Sequence, residues 1–110
     1  MLDLDKDNFI AEVEQSDLPV VVEFWGQQCA VCLALMPEVE KLAASRAGRI
    51  KFCRIAIAGC RRLCLQLRIL SVPTFLFYRG GECKARLSGD GVNLEEIRVL
   101  ADALLRTEAD

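Results

Sequence analysis

The sequence predicts an α/β fold, a central mixed β-sheet flanked by helices on both faces, and three observations carry that prediction. Val20-Val21-Val22-Glu23-Phe24-Trp25 is short, β-branched and apolar on both faces, as a strand covered from both sides must be. Helical and strand periodicities alternate through the first two thirds of the chain, in the order helix, strand, helix, strand, helix. Beyond Val72-Pro73 two strand patterns are joined by Gly80-Gly81, which marks an antiparallel hairpin. With 110 residues, no internal repeat and no Pro/Gly/Ser-rich linker, the chain reads as a single domain spanning 1–110.

Each element has its own warrant. Asp5 is a capping residue for a helix from about Lys6 to Gln15, whose apolar face is Phe9, Ile10 and Val13, and Leu18-Pro19 ends that stretch. In the strand that follows, Glu23 is the one misfit. From Ala30 to Arg46 the apolar positions Cys32, Leu35, Val39 and Leu42 recur at helical spacing, with Pro37 inside predicting a kink. Lys51 to Ile57 reads as a strand with Cys53, Ile55 and Ile57 on one face, and Arg61 to Leu67 as a short helix. Thr74 to Tyr78 and Glu82 to Leu87 form the hairpin, with Cys83, Ala85 and Leu87 alternating against Glu82, Lys84 and Arg86. Asn93 with Glu96 has the form of a capping box, and Leu94, Ile97, Leu100, Ala101 and Leu104 stripe a last amphipathic helix.

Composition excludes several functions. A formal net charge of -2 with 27% charged residues offers neither nucleic acid nor an anionic membrane an electrostatic handle. The acidic start, Met1-Leu2-Asp3-Leu4-Asp5, is unlike a signal peptide, and no apolar run reaches the length of a membrane span, so a cytoplasmic location is expected. In that reducing compartment six cysteines read as catalytic, metal-binding or buried thiols and not as a disulfide framework.

Cys29-Ala30-Val31-Cys32 lies where the buried strand meets the longest helix. Unpaired N–H groups and the helix dipole at that junction favour a negative group, and such a position lowers a thiol pKa by up to several units below about 8.5. Cys32, one turn further in, is shielded and placed to resolve a mixed disulfide. A metal site is the sharp alternative, because Cys29, Cys32, Cys60 and Cys64 form CxxC and CxxxC pairs of soft ligands. Cys53 and Cys83 fall on the apolar faces of their strands and are expected in the core, and Cys64 is expected to face it. Cys60 starts the short helix, as a cap-region thiol or a regulatory one. A Cys60–Cys64 disulfide is not expected, since two positions four apart on a helix would strain it.

"VVEFWGQQCAVCLALMP" and "SVPTFLFYRGGE" together resemble the thioredoxin family, the first its strand, active-site motif and kinked helix, the second its cis-proline loop and hairpin. The similarity runs along almost the whole chain and implies the thioredoxin fold and a thiol–disulfide oxidoreductase that reduces protein disulfides. It implies that Cys29 is the exposed nucleophile, Cys32 the resolving thiol, Pro73 a cis residue that sets the Val72 backbone beside Cys29 for substrate, and Trp25 a support for the motif. Glu23 and Arg54 occupy the positions of the family's buried acid and accompanying lysine, which implies a proton relay. Gln28, Ala30, Val31 and Leu33 depart from the family's pattern and leave a more apolar rim without a positive charge, and Ala58 replaces an aspartate.

The resemblance calls for no cofactor and no metal. Its implied partners are protein disulfides and a thioredoxin reductase as electron donor, with the protein a monomer. Two other readings stand beside it. One is a non-catalytic redox-sensing or protein-binding module, in which oxidation of Cys29, Cys32 or Cys60 switches a contact. The other is the four-cysteine metal site. Glu23 alone also admits a salt bridge to Arg54 that sets strand register.

Overall fold

In the computed structural model, which describes residues 1–106, five strands form one mixed sheet. They are β1 (Leu2–Leu4), β2 (Val20–Trp25), β3 (Lys51–Ala56), β4 (Thr74–Arg79) and β5 (Glu82–Ser88), in the spatial order β1-β3-β2-β4-β5. β3 runs parallel to β1 and β2, whereas β4 is antiparallel to β2 and to β5. β2 takes the centre because both of its faces are apolar. Val20, Val22 and Phe24 enter one core with Phe9, Val13 and Ile55, and Val21 enters the other with Phe52, Phe75, Phe77 and Ile97.

Helices cover both faces, as expected. α1 (Ala30–Ser45) and α3 (Leu94–Ala103) close the second core through Leu35, Val39, Leu42, Ile97 and Ala101. The N-terminal helical segment and α2 (Arg61–Gln66) close the first. The four buried residues of α1 are Cys32, Leu35, Val39 and Leu42, the stripe read from the sequence, with Pro37 inside the helix. The capping box is present: the Asn93 side chain accepts the Glu96 N–H at 2.9 Å and the Glu96 carboxylate accepts the Asn93 N–H at 3.3 Å. Gly80 and Gly81 have φ of 60° and 83°, which the tight turn between β4 and β5 demands at both positions. A side chain at Gly81 would also meet the Glu14 carbonyl oxygen at 2.9 Å.

Four features of the fold differ from the sequence reading. β1 carries no strand signal of its own; three residues become a strand because β3 offers an open edge, with Leu2 opposite Cys53 and Leu4 opposite Ile55. The N-terminal helix begins where Asp5 Oδ1 accepts the N–H groups of Asp7 and Asn8, yet it widens over Ile10–Glu14 into i to i+5 bonding, Gln15 N–H to Ile10 O at 3.1 Å. That changed pitch leaves Phe9 and Val13 buried and turns Ile10 outward, 56% exposed. Ile57 lies beyond the end of β3 and is exposed, so only Cys53 and Ile55 hold the predicted face.

Cys83 is the fourth: it is exposed, not in the core. The register explains why. Tyr78 pairs with Cys83 but Phe77 pairs with Ala85, so a bulge at this point breaks the alternation that placed Cys83 beside Ala85 and Leu87. With Cys29 and Cys32 paired, a maleimide should therefore label Cys83 first, while Cys53, fully buried with its thiol pushed up by burial to about 11, should be labelled only as the protein unfolds. Mass mapping of a labelling time course checks the order, and equal rates at Cys53 and Cys83 would contradict the bulged register.

Candidate functional site

The strand–helix junction that the sequence singles out holds a disulfide between Cys29 and Cys32, with Cα atoms 5.3 Å apart. Cys29 caps α1: its extended backbone ends the loop after β2, its N–H donates to Gly26 O at 3.1 Å, and its carbonyl accepts the Leu33 N–H at 3.1 Å. The Cys32 N–H donates to Cys29 Sγ at 3.1 Å, so the sulfur fills the role a serine or aspartate oxygen would fill at a helix start. No acidic residue sits in the first turn of α1 to oppose negative charge there. Cys29 is half-buried and Cys32 is fully buried. One sulfur is open to a partner and the other is screened.

Glu23 is buried in the middle of the sheet with no hydrogen-bond partner for either carboxylate oxygen. By strand alternation it shares the side of Val21, the side that α1 covers with its buried stripe of Cys32, Leu35, Val39 and Leu42. Burial pushes its carboxyl up from 4.5 to about 7, and the positive charge of Arg54 only partly opposes this. The alternative reading of Glu23, a salt bridge to Arg54, is not realised. The two residues are register partners in β2 and β3, yet the Arg54 guanidinium reaches outward to Asp3 at 2.7 Å and Glu40 at 2.9 Å. Those acids stay in water, so pairing with them spares the guanidinium the desolvation that a buried pair with Glu23 would require.

The Val72–Pro73 peptide is cis, as the resemblance implies. Its turn is held by the Thr74 hydroxyl donating to Ser71 O at 2.7 Å and by the Gly89 N–H donating to Pro73 O at 3.0 Å. Val72 and Cys29 line the same open groove, with Val31, Ile57 and Asp90 also on its walls. Pro73 is buried behind this surface, and Trp25 is half-buried at the end of β2, where its carbonyl accepts the Ile57 N–H at 2.9 Å. Ile57 and Val72 converge over Gly26, where a Cβ would meet them at 3.6 and 3.7 Å. Ile57 is the site residue that periodicity misplaced. Read as the last apolar position of a strand, it is instead the groove wall beyond that strand's end.

The remaining cysteines lie apart from this pair. Cys60 is buried at the start of α2 and Cys64 is half-buried one turn later, both thiols raised chiefly by burial, and both are unpaired. Among the described residues no group of three or more His, Cys, Asp or Glu side chains is gathered closely enough to hold a metal ion, so the structure does not assemble Cys29, Cys32, Cys60 and Cys64 into one site. No helix among those residues is long and apolar enough to cross a membrane.

Comparison with known proteins agrees with this geometry. The family model described as Thioredoxin matches residues 1–102. The chain is 36% identical over 97 residues to a thioredoxin of Peptoclostridium acidaminophilum, covering 88% of each chain. It is 34% identical over 82 residues to a thioredoxin of Acetoanaerobium sticklandii, covering 74% of this chain and 78% of that one. A bifunctional thioredoxin reductase/thioredoxin of Mycobacterium leprae is 25% identical over 97 residues, which is 88% of this chain and 21% of that protein.

Proposed function

Because the chain belongs to the thioredoxin family and is a thiol–disulfide oxidoreductase, we propose that it acts as a reductant of protein disulfides, with Cys29 attacking and Cys32 resolving. The observation that carries this reading is the Cys29–Cys32 bond itself, set with one sulfur capping α1 in the open groove and the other buried behind it.

In the reduced protein the Cys29 thiolate attacks one sulfur of a substrate disulfide. That sulfur stays bonded to Cys29 and the other leaves as a thiolate that takes up a proton. Cys32, losing its proton to Glu23, then attacks Cys29 Sγ, forming the intramolecular disulfide and releasing the second substrate thiol. Two electrons pass to the substrate. Glu23 suits the proton step because burial brings its carboxyl to about 7, where it both accepts and returns a proton near neutrality. An extended substrate segment lies along the Val72 backbone, with Pro73 and Trp25 supporting the groove.

A thioredoxin reductase returns the two electrons, a partner suggested by the fused reductase in the Mycobacterium leprae relative. The same reading makes the chain one domain, a cytoplasmic monomer, with the reaction needing no cofactor beyond the two thiols. A regulatory part for Cys60 enters only through local opening of α2, since its thiol is buried.

The test is thiol trapping with peptide mapping after equilibration across graded dithiol redox buffers. Cys29 and Cys32 should interconvert reversibly as a pair at a strongly reducing potential, with the other four thiols unpaired throughout. No reversible Cys29–Cys32 couple, or four thiols protected together by copurified metal, would overturn the reading. A couple that forms but turns over no protein disulfide with a reductase would instead favour the binding or sensing module.

A further inference from the structure

The groove at Cys29 does not end at Val72. A second hollow, lined by Ile57, Cys64, Leu65, Ile69 and Leu70, shares Ile57 and Val72 with the first, so an apolar surface runs from the disulfide onto α2 and the loop into β4. The core does not account for Leu65 and Leu70. α2 meets the sheet through Leu63, Cys64 and Leu67, while Leu65 is 62% and Leu70 87% exposed. Two large apolar side chains held in water beside a reactive disulfide form a contact surface.

Charge on this surface is opposite to that of the whole chain. The net charge is -2, yet residues 57–81 contain no acid, and Arg61, Arg62 and Arg68 form no ion pair among the described residues. Arg61 lines the second hollow, and Arg86 adds a further guanidinium by donating to the Leu67 and Arg68 carbonyls at 3.2 Å each. Acids border it as well: Asp7 lines a further hollow at the start of α2 that Arg61 also lines, Asp5 and Asp7 both act on the Cys60 thiol there, and Asp90 lines the Cys29 groove.

Resting on the disulfide-reductase reading, we infer that this basic, leucine-bearing surface selects the substrate: it takes the segment flanking the target disulfide when that segment carries a large apolar residue and acidic neighbours. The apolar residue seats between Leu65 and Leu70, and the carboxylates face Arg61 and Arg68. The surface presents exposed leucines and no aromatic platform, which fits a polypeptide segment and not a nucleic acid strand.

The experiment measures kcat/KM for three synthetic peptides that share one disulfide and differ only in its flank: glutamate with leucine, lysine with leucine, and glutamate with serine. Bis(2-hydroxyethyl) disulfide, too small to span both hollows, reports turnover at the Cys29–Cys32 pair in every variant. The wild-type protein should prefer the glutamate–leucine peptide to each of the others by about tenfold. Leu65→Ser with Leu70→Ser should erase the preference for leucine, and Arg61→Glu with Arg68→Glu should reverse the preference for glutamate over lysine. All four side chains are exposed, so the variants should keep the fold. Equal rates for the three peptides, with the small disulfide still turned over, would overturn the selectivity alone. No turnover of any disulfide by the wild-type protein would overturn the reductase reading and this inference with it.

Discussion

Replacing Cys29 by serine should reduce protein-disulfide turnover to the rate of the uncatalysed exchange, whereas replacing Cys32 by serine should leave the first attack intact and stop the cycle at a covalent adduct. The difference follows from position. Cys29 Sγ accepts a backbone N–H at the start of α1 and opens onto the groove, so it is the sulfur a substrate reaches and the one whose thiolate the helix favours. A serine there keeps the cap but has no nucleophile of comparable strength at neutral pH. Cys32 is fully buried, so no substrate approaches it, and its one accessible partner is Cys29. Non-reducing gels and mass spectrometry of the Cys32→Ser protein incubated with an oxidised substrate should show a one-to-one mixed disulfide through Cys29. Steady turnover by that variant would remove Cys32 from the resolving step, and turnover by Cys29→Ser would overturn the whole scheme.

The second large effect belongs to Glu23. Its carboxyl is raised in the folded protein, from 4.5 to about 7, so the folded state holds a proton that the unfolded chain has released across that interval. Stability therefore falls as pH rises from about 4.5 to 7: below the window both states are protonated and nothing is lost, above it the folded protein carries the full cost of a buried charge, about 3 kcal/mol for a rise of this size. Glu23→Leu should consequently stabilise the oxidised protein by about 3 kcal/mol more at pH 8 than at pH 4, read from urea unfolding at the two values. An equal gain at both pH values would show that the carboxyl is not held neutral. Under the proposed proton transfer from Cys32, Glu23→Gln should slow release of the mixed disulfide by about 10²-fold while leaving its formation unchanged. Stopped-flow measurement of the two steps separates them, and equal slowing of both would mean that Glu23 acts through the fold instead of the proton.

Glu23 is conspicuous in the sequence as one acid in a run of valines and aromatics. What the run does not reveal is that Arg54 turns away from it. Both residues stand in one register row, but the direction of the guanidinium depends on Asp3 in β1 and Glu40 in α1, residues distant in sequence that become neighbours only when the sheet and α1 assemble. The salt bridge that the sequence admits between these two positions therefore gives way to a pair of exposed ion pairs and a lone buried acid.

By itself the sequence determined the features that depend on short-range periodicity and local chemistry. The two-sided apolar run made β2 a central strand, the stripe of Cys32, Leu35, Val39 and Leu42 set the buried face of α1, Asn93 and Glu96 capped α3, and the cysteine spacing marked the strand–helix junction as the site. Tertiary structure alone decided the features that depend on a partner brought from elsewhere. β1 exists because β3 presents an edge, Cys83 is exposed because a bulge shifts its pairing against Tyr78, and Ile57 walls the groove because its backbone is tied to Trp25 at the end of the adjacent strand. The physical reason is common to all three. Periodicity records which side of an element is apolar, while pairing, register and the groove beside the disulfide are set by backbone hydrogen bonds between segments that no local pattern connects.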